Sequence, residues 1–132
     1  MADSLGVCFG CEINNRMGLR LAIGSSSKNT PFILGQLGLG GYFDAVSDGN
    51  NITRSKPDPE IFLTAAKMLD LPPQACAAVD DAVAGIQAGR AAGMVTVGIG
   101  DSARRSAGDY NLMCFGQLLD LFLQPDFKSN LL

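Results

Sequence analysis

Histidine is absent from this sequence of 132 residues, and charged residues make up only 17% of it. Four cysteines are the only thiolate ligands it offers. Cys8 and Cys11 form a C-x-x-C, but Cys76 and Cys114 stand alone, and zinc needs about four ligands. The pair is therefore read as chance spacing. The other readings are a zinc half-site or a thioredoxin-like redox pair, which should follow a strand and open a helix. Cys76 and Cys114 read as small buried apolar residues. No apolar run approaches the roughly 20 residues of a membrane span, and the N-terminus lacks the basic start and apolar stretch of a signal peptide. Repeats, low-complexity tracts and linkers are missing too. With a net charge of -3, neither nucleic acid nor an anionic membrane is expected as a partner. A cytoplasmic protein is expected.

What is present is apolar and patterned. Hydrophobic residues make up 47%, enough for a globular core. From Met17 onward, strand and helix signals alternate. Leu19 to Ile23 is a short apolar run ending at Gly24, as in a buried parallel strand. Thr30-Pro31 predicts an N-cap with proline at the first helical position. Phe32, Ile33, Leu34 and Leu37 give that helix an apolar side, and Gly38 stops it. The glycines of Gly38-Leu39-Gly40-Gly41 read as a turn. A second strand is predicted over 43–47. A second helix opens at Asp58-Pro59, with Phe62, Ala65, Ala66 and Leu69 at helical spacing, and ends at Leu71-Pro72-Pro73. Strands over 76–79 and 95–99 flank a small-residue helix over 82–92, and 118–123 predicts a terminal helix. Such alternation implies an α/β layer fold: a Rossmann-like, mainly parallel sheet flanked by helices. Residues 1–16 fit no period. The Asn51-Ile52-Thr53 acceptor pattern is an accident of composition.

Ligands of open α/β sheets bind at the carboxyl ends of the strands, and three polar clusters fall there. Ser25-Ser26-Ser27-Lys28-Asn29 offers hydroxyls, an ammonium and the amides of a starting helix to a phosphate, or else is a polar cap. In Ser55-Lys56-Pro57-Asp58-Pro59, two prolines hold the backbone around Lys56, so the lysine can be aimed at one point. A solvated loop lysine is the plainer alternative. Asp80-Asp81 ends an apolar strand, and adjacent carboxylates repel unless a cation lies between them. Hard oxygens of this kind suit Mg²⁺, although Asp81 can also cap the next helix.

Taken in order, these clusters resemble motifs two, three and four of the haloacid dehalogenase superfamily. The resemblance spans about Met17 to Leu123 and is nearest the β-phosphoglucomutase branch. It is carried by Ser25-x-Ser27-Lys28-Asn29, Ser55 to Phe62 (SKPDPEIF) and Val79-Asp80-Asp81-Ala82-x-Ala84-Gly85-Ile86. It implies that Ser25 and Lys56 hold the phosphoryl group being transferred. Asp80 and Asp81 would fix Mg²⁺, and Ser26, Ser27, Lys28 and Asn29 would complete a phosphate site, the last three gripping a second phosphate of a sugar bisphosphate. The implied reaction interconverts β-glucose 1-phosphate and glucose 6-phosphate through an aspartyl-phosphate. A sugar-phosphate phosphatase is the alternative within the fold, and an inactive phosphate- or partner-binding remnant the alternative outside it.

One part of the pattern is missing. The family's Asp-x-Asp-Gly, with a nucleophile and an acid/base aspartate, has only a faint echo in Asp3-Ser4-Leu5-Gly6-Val7, where leucine takes the acid/base position. The interval from Asp3 to Ser25 is too short for the family's helical cap. Residues 1–16 therefore read as an atypical, foreign or truncated start, and 17–132 as the core domain. Loss of the central, nucleophile-bearing strand predicts an incomplete sheet with two unpaired edges, unless residues 3–9 fill the gap, and a chain that self-associates or is loosely folded. No activity of the chain alone is expected.

Overall fold

The computed structural model describes residues 6–11, 19–25, 27–38, 41, 43–113, 117 and 121. Among these residues six strands form one sheet: β1 (Gly6–Cys11), β2 (Leu19–Gly24), β3 (Ala45–Ser47), β4 (Cys76–Asp80), β5 (Val95–Ile99) and β6 (Tyr110–Leu112), in the order β3-β2-β1-β4-β5-β6. Between them run α1 (Thr30–Gln36), α2 (Glu60–Met68), α3 (Val83–Ala91) and α4 (Asp101–Arg104). A 3₁₀ turn, Pro73–Ala75, leads into β4.

β4 reads CAAVD and is buried throughout, the continuous apolar run expected of a strand covered on both faces. It pairs in parallel with β5, and β5 with β6, while β2 pairs in parallel with β3. One face packs Ala22, Ala78 and Cys76 against Ile61, Phe62, Ala65, Ala66 and Ala88 from α2 and α3. The other face gathers Ala77, Val79, Val97 and Ile99 with Leu121. α2 buries Ile61, Phe62, Ala65 and Ala66 at helical spacing, with Glu60 in its first turn and Lys67 in its last, the favourable order for the helix dipole. α3 comes close to the sheet because its inner residues are small. A Cβ on Gly89 would lie 2.7 Å from Ala78 Cβ.

The largest departure from the sequence reading is β1. Residues 6–11, which show no period, lie at the centre of the sheet and pair on both sides, with β2 and with β4. Both pairings are antiparallel, so β1 runs against the other five strands. Its backbone satisfies the two rows of donors and acceptors expected to stand open between β2 and β4. The two central edges predicted to drive self-association are therefore not exposed. The outer edges, β3 and β6, are three residues each, too short to template much further pairing.

Smaller departures have local causes. Thr30 is the first helical residue, not the cap; Asn29 takes the cap position, and Thr30 Oγ1 donates to Ser27 O at 2.7 Å. Phe32, Ile33 and Leu37 are exposed, and only Thr30 and Leu34 of α1 are buried, because residues i and i+4 share the single face that meets the core. α2 stops before the prolines: Asp70 adopts a left-handed φ of 58° and Leu71 N bonds back to Ala66 O. α4 and β6 were not expected. The predicted terminal helix over 118–123 lies outside the described residues except at Leu121. Cys8 and Cys11 both lie within β1, so the C-x-x-C opens no helix; Cys76 is buried in the core, its thiol 3.5 Å from Pro72 O.

Candidate phosphate and metal site

The carboxyl ends of β2, β3, β4 and β5 lie at one rim of the sheet, and β1 enters from the same rim at Gly6, which pairs with Gly24. Lys56 comes in from the loop before α2, held by Pro57 across a cis peptide bond. Its ammonium lies 2.6 Å from Asp80 Oδ2 and donates to Gly24 O at 3.3 Å. The two side chains are 3% and 0% exposed, and Lys56 Nζ stands 5.4 Å from the centre of the Phe62 ring. Burying an ammonium and a carboxylate is costly unless they are paired and hydrogen-bonded. Here both are, since Asp80 Oδ1 also accepts from Ala82 N at 3.0 Å. Lys56 is thus neither a solvated loop residue nor open to water. It is aimed at one point, beside the backbone that leads into Ser25.

Asp81 faces outward. Partial desolvation, then the neighbouring Asp80 carboxylate, raises its pKa, while Lys56 pulls the other way. Its backbone is fixed by Ser102, whose N–H donates to Asp81 O at 2.9 Å and whose Oγ donates to Asp80 O at 2.7 Å. Ser102 was missed because α4, which carries it, has only four residues and no period to read. The pair fits Mg²⁺ in its chemistry: two hard carboxylates on consecutive residues, with like charge that a dication would relieve. Among the described residues no third carboxylate, cysteine or histidine joins them, so water or phosphate oxygens must complete the shell.

Ser25 follows β2 and is buried. Its N–H donates to Ser47 O, and its Oγ accepts from Ser27 N at 3.3 Å. Ser27 Oγ accepts from Asn29 N at 3.2 Å. A hydroxyl has one proton and two lone pairs, so both serines accept on the loop, and their O–H groups, which meet no acceptor among the described residues, suit an anion. Lys28 and Asn29 are exposed. Ser26 and Asp3 lie outside the described residues. The structure therefore brings Ser25, Lys56 and Asp80 to one rim, with Asp81 at its water-facing side. Asp48, just past β3 and buried at 4% exposure, belongs to the same rim. Its signal in the sequence, a strand end followed by Asp-Gly-Asn-Asn, reads equally well as an ordinary turn.

A family model described as haloacid dehalogenase-like hydrolase matches residues 11–93. The chain is 47% identical over 90 residues to a β-phosphoglucomutase of Bacillus subtilis, a match covering 68% of this chain and 39% of the relative. It is 38% identical over 86 residues to the fructose-1-phosphate phosphatase YqaB of Escherichia coli, covering 65% of this chain and 46% of that protein. The solved β-phosphoglucomutase of Clostridium difficile superposes with a TM-score of 0.74 at 34% identity, over 82% of this chain and 48% of that one. The chain thus spans less than half the length of these relatives.

Proposed function

Since the chain belongs to the haloacid dehalogenase-like hydrolase family, we propose that it carries the phosphate- and Mg²⁺-holding part of a β-phosphoglucomutase-type phosphotransfer site. The observation that supports this most is the buried Lys56–Asp80 pair at 2.6 Å beside the entry to Ser25. In this reading Ser25 and Lys56 hold the transferring phosphoryl group, Ser25 by its free O–H and Lys56 by its charge. Ser27, Lys28 and Asn29 grip the second phosphate, Ser26 completes the phosphate site, and the ligand is a sugar phosphate met in the cytoplasm. Asp80 and Asp81 would hold Mg²⁺, which when bound neutralises charge on the phosphoryl oxygens. The protein's own contribution is a fixed ammonium that needs no reorganisation when that charge arrives. A sugar-phosphate phosphatase is the second reading, favoured by the similarity to the Escherichia coli enzyme.

β1, Gly6–Cys11, brings no carboxylate to the site. Where β1 meets the Lys56–Asp80 pair stands Gly6, and a Cβ there would lie 2.8 Å from Asp80 Oδ2 and 3.1 Å from Lys56 Nζ. A glycine supplies no nucleophile, and the family route through an aspartyl-phosphate requires one. In this reading the chain by itself is a binding half-site. Incubation of the purified chain with β-glucose 1-phosphate, a sugar bisphosphate and Mg²⁺ should yield neither glucose 6-phosphate nor free phosphate. Adding a fragment with the family's Asp-x-Asp strand and cap should restore some turnover. Robust turnover by the chain alone, abolished by Asp3→Asn, would make Asp3 the nucleophile and overturn the half-site reading.

A further inference from the structure

We propose that Asp48 is a positioning residue for the phosphate loop, holding Ser27 and Lys28 in place through the turn it starts. This rests on the reading that the loop takes phosphate. Asp48 follows β3, whose last residue Ser47 is registered with Gly24 at the end of β2. A carboxylate at a loop start normally faces water, yet this one is 4% exposed. Its burial is offset locally. Oδ1 accepts from Asn50 N at 2.8 Å, Asp48 N donates to Asn51 Oδ1 at 3.0 Å, and Asn51 N donates to Asp48 O at 3.0 Å. The turn is closed from backbone and side chain alike.

From that closed turn two groups reach across to the neighbouring loop. Gly49 N donates to Ser27 O at 3.3 Å, and Asn50 Nδ2 donates to Lys28 O at 3.2 Å. Ser27 O also accepts from Thr30 Oγ1, so this carbonyl is held between the β3 turn and the first turn of α1. With Ser27 fixed, its N–H occupies a lone pair of Ser25 Oγ, and the Ser25 proton is left to point at an anion. Asp48 touches no anion itself. Its carboxylate charge would repel phosphate, so the role calls for its Oδ1 as an acceptor and not for its charge.

That distinction makes the test. Inorganic phosphate is titrated into the full chain and followed by NMR, for the parent, Asp48→Ala and Asp48→Asn. Loss of a hydrogen bond of ordinary net strength corresponds to binding about three- to tenfold weaker in Asp48→Ala. Asp48→Asn keeps an acceptor oxygen and sheds the like charge, so it should bind phosphate at least as well as the parent. Without phosphate, the Ser27 and Lys28 amides should shift in Asp48→Ala and stay near parent positions in Asp48→Asn. If Asp48→Ala does not fold, Asn50→Ala, which removes only the exposed Nδ2 bond to Lys28 O, should weaken phosphate in the same direction. Parent-like affinity in Asp48→Ala, or an Asp48→Asn as weak as Asp48→Ala, overturns the proposal. A parent that binds no phosphate overturns the phosphate reading and this role with it. A parent that binds, with unmoved Ser27 and Lys28 amides in Asp48→Ala, overturns this role alone.

Discussion

Lys56 Nζ and Asp80 Oδ2 meet at 2.6 Å with both side chains shut from water, although they are 24 residues apart in the chain. Removing one partner of such a pair leaves a buried charge uncompensated, which costs about 3–5 kcal/mol. Lys56→Met and Asp80→Leu should each lower stability by that order in urea denaturation. The double variant should lose much less than the sum. Additive losses would mean that the two groups are not coupled in the folded protein.

Two glycines make room for the same carboxylate. A Cβ on Gly85 would run into Asp80 Oδ2 and Cγ, and one on Gly6 would crowd Asp80 Oδ2 and Phe62 Cζ at 2.8 Å. Crowding of this kind costs about 1–3 kcal/mol. Gly85→Ala should therefore lower the thermal midpoint, whereas Gly35→Ala, whose Cβ meets nothing within 4 Å, should leave it or raise it. Equal midpoints for Gly85→Ala and the parent would show that Asp80 does not occupy this position.

Mg²⁺ is expected to bind weakly, since among the described residues only the neighbouring Asp80 and Asp81 carboxylates are at hand and water must supply the rest of an octahedron. Calorimetric titration should detect binding in the parent and none in the Asp80→Asn/Asp81→Asn double variant. Retained binding in the double variant would remove the metal assignment from these residues.

Glu60 ties Thr53 and Arg54 to the first turn of α2. Its carboxylate accepts from Thr53 N at 2.7 Å and from Arg54 N at 3.1 Å. These bonds, Thr53 N–H foremost, lower its pKa below the ordinary 4.5. A lowered carboxylate pKa adds stability that is present above the unfolded value and lost as pH falls through the folded one. Stability of the parent should thus decline on acidification below about pH 4.5, and Glu60→Gln should flatten part of that decline. Identical pH profiles for the two proteins would show the bonds to be absent in solution.

Much of the sheet and its helices follows from local pattern. Cys76 to Asp80 is apolar enough to be a covered strand wherever it is placed, and Val95 to Ile99 is β-branched at every position but Gly98. The 60–68 and 83–91 segments repeat apolar residues at the helical period. Lys56, Asp80 and Ser25 are also legible, because prolines, strand ends and paired acids mark them in the chain. These signals arise between near neighbours, so the order of residues carries them.

Contact between distant segments decided the rest. Nothing in Gly6 to Cys11 announces a central strand; its place depends on β2 and β4 leaving a slot whose backbone groups must be paired, and its direction on filling that slot from the rim at Gly24. The α1 residues Phe32, Ile33 and Leu37 look like a core face by composition, but only the Thr30–Leu34 stripe meets the sheet. Asp48 looks like a turn residue until Ser27 and Lys28, over 20 positions earlier, are seen to lean on its turn. The Lys56–Asp80 pair shows the same division. Each residue type could be read from the chain, while their burial against each other, with Gly6 and Gly85 clearing the space, exists only once α2, α3 and β1 have closed around β4.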